Sequence, residues 1–352
     1  MATRKHDVGG DDEDAHDGGA DSTLRAMARA AELSTPPHFI IVGAQKSGTS
    51  TLHGVLGAHP DVFIPDREIF FFDIDDDVQH PDFGPVGGGV RDFDADFDTY
   101  ATWYSRFFER AQPGQLRGED STSYLASTVA PERIGRLCPD VKVIALLRDP
   151  VSRAYSHYWH DVSRGRCSRS FTEVIDDADS LVVQRGFYRE QIQRYHDVLG
   201  ADRVKVLVFE EFSRNLDRVC AEVCEFLGLA PPPASALERE RYNVARVPRN
   251  LEARLWVNRN LPMLVKKSYR GLLPEPSAGD GLLASAWRDR LWNSEAARVA
   301  NRVLDAVRPQ RKYPPMPEPT RERLGQTYRE ANAGLEQLLG RDDLARWWGS
   351  WG

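Results

Sequence analysis

Cysteine is scarce in this chain: four residues among 352, at Cys138, Cys167, Cys220 and Cys224. None belongs to the paired C-x2-C elements that a zinc site would use, so neither a metal site nor disulfides are expected. Cys220 and Cys224 fall one helical turn apart in an amphipathic stretch and read as small residues on a buried helix face. Positive charge is also in short supply. Lys and Arg number 46 against 53 Asp and Glu, a net charge of −7, and no basic stripe dominates, which argues against nucleic acid as a partner. No apolar run reaches the roughly 18 residues of a membrane span, and no signal peptide is evident, so the chain reads as soluble and cytoplasmic. An internal repeat is lacking as well.

What is present suits a large core, with 41% hydrophobic and 10% aromatic residues. Residues 1–35 are rich in Asp, Gly and Ala and carry the acidic run Asp11-Asp12-Glu13-Asp14, so they read as a disordered acidic tail. Residues 36–352 read as one domain. Within it, Asp73 to Asp98 reads as a long loop at a cleft rim, and 234–310, rich in Arg, Trp and Leu, as a lid on the acceptor side.

Residues 39 to 51 read Phe-Ile-Ile-Val-Gly-Ala-Gln-Lys-Ser-Gly-Thr-Ser-Thr. Phe39 to Val42 form a short, continuous apolar run, as in a strand buried on both faces. Gly43 and Gly48 permit a tight turn, and Gly48-Thr49-Ser50 opens a helix whose first N–H groups face the loop, a ready anion site. An ATP-type loop would read G-x-x-x-x-G-K-[ST]. Here Thr49 stands where that Lys belongs, and the cation has moved inside the loop to Lys46.

A second buried-type strand, Val141 to Leu147, ends in Arg148, followed by Asp149 as a helix N-cap and Pro150 at the first helical position. Arg148 and Ser156, one at the strand end and one two turns into the helix, can clamp a second anionic group. A third such strand runs from Arg203 to Phe209 and ends in Glu210-Glu211, and Leu116 to Glu119 is strand-like. Strands alternating with helices predict an α/β fold with a doubly wound parallel sheet, its ligand at the carboxyl ends of the strands.

Together the two loops resemble the sulfotransferases that use 3′-phosphoadenosine 5′-phosphosulfate (PAPS), in the branch with the heparan sulfate N- and 3-O-sulfotransferases and bacterial homologues. The resemblance covers roughly residues 37 to 348. It implies that Gln45, Lys46, Ser47, Gly48, Thr49 and Ser50 grip the 5′-phosphosulfate. Arg148 and Ser156 would take the 3′-phosphate, and Arg311-Lys312-Tyr313 would close over the nucleotide. His59-Pro60 with Arg67-Glu68-Ile69-Phe70-Phe71-Phe72-Asp73 looks like the family's H-P … K-E-x-x-F-F-D segment.

The reaction so implied moves a sulfuryl group in line from PAPS to an acceptor, with PAP as product and no metal required. Lys46 would stabilise the leaving phosphate and Glu68 would act as general base, with Asp73 as a second acidic residue orienting the acceptor. Phe72, Asp120, Ser121 and Tyr188 complete the expected acceptor side. The 3-O-enzymes read E-K-T-P-x-Y where this chain has Glu119-Asp120-Ser121-Thr122-Ser123-Tyr124. That charge reversal at Asp120 disfavours a polyanionic chain and points to a sugar, glycolipid or small metabolite, by a hydroxyl rather than an amine. The basic and apolar run Leu264 to Leu273 could rest on a membrane surface to reach a lipid, or be an ordinary solvated helix. Two competing functions share the scaffold. One is an ATP- or GTP-dependent kinase, against which Thr49 and the lack of a Walker-B-like Asp count. The other is a non-catalytic PAP-binding protein.

Overall fold

The computed structural model describes residues 33–81, 91–237, 247–248, 250–261 and 312–351. The acidic tail before residue 33, most of the proposed lid, the segment Leu264 to Leu273 and Arg311 lie outside the described residues.

Five strands form one parallel sheet: β1 (Phe39–Gly43), β2 (Val62–Phe63), β3 (Leu116–Asp120), β4 (Lys142–Leu147) and β5 (Val204–Val208). Their order is β2-β3-β1-β4-β5. The chain therefore leaves β1 toward one edge, then returns to build the other, and the reversal falls between β1 and β4. Open α/β sheets bind ligands in the crevice at such a switch point, beyond the carboxyl ends of the strands.

Alternation of side chains explains why both sides of these strands are apolar. Ile40, Val42, Val143, Ala145 and Leu147 enter a core on one face with Phe71, Phe72 and Tyr104. Phe39, Ile41, Ile144 and Leu146 enter a core on the other, against Leu52, Val55, Cys220 and Cys224. A third cluster joins Val151, Tyr158 and Trp159 of the Pro150–Ser163 helix to Leu324 and Tyr328 of the Glu318–Ala331 helix.

The Pro150–Ser163 helix starts as its sequence dictates, with Pro150 in the first turn and the Asp149 carboxylate accepting from the Ser152 N–H at 2.8 Å. The C-terminal end of the chain fastens this start from a distance. Ser350 N–H donates to Asp149 Oδ2 at 3.0 Å, and Trp348 Nε1–H, fully buried, donates to Glu210 Oε2 at 3.0 Å. The Glu210 carboxylate in turn accepts from the Asp149 N–H at 3.1 Å.

Candidate active site

The loop after β1 is shaped by two glycines. Gly43 has φ +145°, and a Cβ there would stand 2.9 Å from Leu125 Cβ and from Thr122 O. Gly48 caps the Thr49–Leu56 helix with φ 89°, and a Cβ on it would stand 2.7 Å from the Phe209 ring. Lys46 also takes a positive φ, 71°. No side chain caps this helix start, and an uncapped helix N-terminus is the kind of place where an anion binds. Ser47 is fully buried, and its hydroxyl has no hydrogen-bond partner among the described residues. A buried, unsatisfied hydroxyl at a helix start with a neighbouring lysine fits an anionic oxygen. Thr49 is buried and Ser50 exposed at the same turn.

Because β1 and β4 are neighbours, the two expected anion motifs meet. Ala44 N–H donates to Leu146 O at 2.8 Å, and Arg148 Nη1 donates to Lys46 O at 3.1 Å. The Arg148 guanidinium lies 5.0 Å over the Phe209 ring, the same ring that backs Gly48. Tyr188, expected beside the acceptor, is instead fully buried and donates its hydroxyl to Arg148 O at 2.9 Å. Its place is beneath Arg148. Ser156 and Tyr313, 157 residues apart in sequence, approach to 3.1 Å through their hydroxyls, and the Tyr313 ring stacks on Trp159 at 6.3 Å. Lys312 is exposed beside them.

Several cations gather here, Lys46, Arg164, Arg166 and Arg185 among them. Lys46 Nζ lies 3.3 Å from His160 Nδ1. Burial, then Lys46 and nearby arginines, push the His160 pKa down to about 2, so its ring accepts from the ammonium. Burial, then Arg185 and Arg153, likewise hold His157 well below the usual histidine range. Burial, then Arg148, lowers Lys46. A site whose histidines are held neutral, by burial first and then by the cations around them, suits an anion.

Next to this loop lies a cavity of about 160 Å³, lined among others by Gln45, Glu68, Phe70, His80, Asp161 and Arg185. Glu68 Oε1 accepts from the Thr122 N–H at 3.0 Å and from the Thr122 hydroxyl. Burial, then the Asp120 carboxylate, raises the Glu68 pKa, against the pull of those hydrogen bonds. Asp120 itself sits at the end of β3, its Oδ2 3.5 Å from His53 Nδ1.

Besides Tyr188, three residues expected at the acceptor do not line this cavity. Phe72 is fully buried against Phe71, Tyr104 and Tyr124, and Phe70 lines the cavity in its stead. Phe70 has a positive φ of 61°, which breaks strand alternation in the run Phe70-Phe71-Phe72. Ser121 is fully buried and accepts from the N–H groups of Ile69 and Phe70 at 3.1 and 3.0 Å, so it shapes that turn. Asp73 is fully buried, its Oδ2 2.9 Å from Nε2 of His80, the residue that does line the cavity.

Sequence reasoning missed Phe209, Arg185, Gln79 and His80. Phe209 follows directly on β5, the place Arg148 holds after β4, so the strand-end rule could have found it. Gln79 and His80 lie in the loop expected at the cleft rim, but nothing local singles them out or Arg185, since their partners come from distant segments.

Comparison with known proteins bears on the family. The sulfotransferase family profile matches residues 37–233. Human heparan sulfate glucosamine 3-O-sulfotransferase 3B1 is 28% identical over 204 residues, 55% of this chain and 46% of that protein. Mouse bifunctional heparan sulfate N-deacetylase/N-sulfotransferase 4 is 28% identical over 55% of this chain and 22% of its own length. The chain thus spans half or less of these curated relatives. A solved sulfotransferase from Alicyclobacillus acidocaldarius superposes with a TM-score of 0.54 at 27% identity, covering 89% of this chain and 99% of that one. With the family matched over more than half of its length, on the segment that carries β1 to β5, the chain belongs to the sulfotransferase family.

Proposed function

We propose that the protein transfers the sulfuryl group of PAPS to a hydroxyl of a sugar, glycolipid or small metabolite. The observation that supports this is the meeting of the two motif-bearing loops beside Glu68. Arg148 binds Lys46 O, Ser156 reaches Tyr313, and Gln45 of the same loop lines the cavity that holds Glu68. In this reading the loop from Gln45 to Ser50 takes the phosphosulfate, and Arg148 with Ser156 takes the 3′-phosphate under Tyr313 and Lys312.

The chemistry follows from what each atom is free to do. Thr122 engages Glu68 Oε1, leaving Oε2 as the oxygen that takes the acceptor proton. A raised carboxyl pKa makes this oxygen a stronger base than an exposed glutamate. The acceptor oxygen bonds to sulfur as the bridging sulfur–oxygen bond breaks, and its electron pair passes to the 5′-phosphate. Lys46 and the helix start stabilise the charge that grows there. Asp120 beside Glu68 disfavours acceptors carrying dense negative charge.

The test is transfer of ³⁵S from labelled PAPS to a panel of hydroxyl acceptors and to water, with Lys46→Ala and Glu68→Gln in parallel. Label should leave PAPS with the wild type and fail to do so with either variant. Equal transfer by both variants would overturn the assignment.

A further inference from the structure

Arg185 is almost fully buried, yet the hydrogen bonds of its guanidinium go to neutral oxygens. Nη1 donates to Gln45 Oε1 at 2.7 Å, Nε to Gln79 Oε1 at 3.0 Å, and Nη2 to Gln79 O at 2.9 Å. One side chain thereby joins the anion loop after β1 to the residue preceding His80 on the cavity wall. Arginine has only donors, so it fixes which way each amide points. The oxygen of Gln45 must face Arg185, which turns the Gln45 NH2 away as a remaining donor. The Gln79 amide is fixed alike, its Nε2 donating to Ala126 O at 3.5 Å.

We propose that Arg185 is a positioning residue that couples donor to acceptor: when an anion settles on the β1 loop, Arg185 passes that order to Gln79 and His80. The proposal rests on the PAPS reading and extends it to the acceptor wall. A fork of three fixed donors can hold two segments at once, whereas a lysine, a point charge on a flexible stem, cannot. Burial makes the link costly to break, because a desolvated guanidinium that loses an acceptor is left unsatisfied.

The Gln79 and His80 amides report on the wall directly. They donate to Asp76 Oδ1 at 3.0 Å and to Asp76 O at 2.9 Å. Hydrogen exchange of the full chain, with and without PAP as the probe, reads both segments together. In the wild type, PAP should slow the amides of 45–51 and those of 79 and 80, each by about tenfold or more. In Arg185→Gln the loop should keep its slowing while residues 79 and 80 lose theirs, and Arg185→Lys should behave alike if the Gln variant does not fold. Slowing at 79 and 80 that survives in the variant, or wild-type slowing confined to the loop, would overturn the coupling. Slowing nowhere in the wild type would overturn the PAP reading itself, and the coupling with it.

Discussion

Arg148 Nη1 donates to the carbonyl oxygen of Lys46 at 3.1 Å, tying the end of β4 to the loop after β1. The two residues are 102 apart in sequence and come from the two halves of the sheet. Their contact makes one electropositive crevice from two separately readable motifs. In the proposed reading their tasks are separate: the Lys46 ammonium, 3.3 Å from His160 Nδ1, serves the 5′ group, and Arg148 with Ser156 serves the 3′-phosphate.

Arg148→Ala and Ser156→Ala should each weaken PAP much more than adenosine 5′-phosphosulfate, which lacks the 3′-phosphate. Each charge-assisted contact contributes roughly 1.5–3 kcal/mol. Calorimetric titration of both ligands checks this. Equal losses on the two would show that these residues support the fold and not a phosphate.

Gly48→Ala should destabilise the protein and weaken PAP together. The new Cβ would meet the Phe209 ring at 2.7 Å, and φ 89° is a conformation that alanine adopts only under strain. The strain alone is worth roughly 1–3 kcal/mol. Urea unfolding with and without PAP would measure it, and wild-type stability in the variant would remove Gly48 from the loop's design.

The fold was legible because its signals are local. A continuous apolar run, a glycine and a helix start lie within a dozen residues at β1, and strand, Asp149 and Pro150 do the same at β4. The acceptor side was less legible. Phe70, Phe71 and Phe72 are chemically identical, so no pattern says which one faces the cavity until the backbone turn at Phe70 is seen. The sequence suggests Tyr188 and Ser121 as ligand contacts, but their hydroxyls serve Arg148 and the Phe70 turn from within the core. Arg185 meets Gln45 and Gln79 across 140 and 106 residues, which no local rule can anticipate.

Glu119 should make stability fall as pH rises. Its carboxylate accepts from Tyr104, Tyr124 and Ser121, yet burial outweighs these bonds and raises its pKa from 4.5 to about 7. A raised folded pKa favours the protonated form. Its contribution is therefore complete below pH 4.5 and is lost as pH climbs through about 7. Between those values the wild type should lose on the order of 3 kcal/mol that Glu119→Gln, neutral throughout, does not lose. Unfolding of both proteins at pH 5 and pH 8 reads the difference, and parallel pH dependence would contradict it.

Glu68→Gln keeps shape and burial but removes the proton acceptor. Turnover should fall by about 10²–10⁴-fold while PAP affinity stays near wild type. Because burial and Asp120 raise the Glu68 pKa, the wild-type rate should fall as pH drops through that raised value, and this acidic limb should vanish in the variant. Wild-type turnover in Glu68→Gln would place the base on another residue.

The central claim, that this crevice holds a nucleotide with separate 5′ and 3′ anionic groups, is tested most directly by isothermal titration in the presence of chelator. PAP should bind without metal and more tightly than AMP, which lacks the 3′-phosphate. ATP with Mg²⁺, titrated separately without chelator, should not compete. Absence of PAP binding at millimolar concentration, or tight binding of Mg²⁺–ATP in its place, would contradict the account.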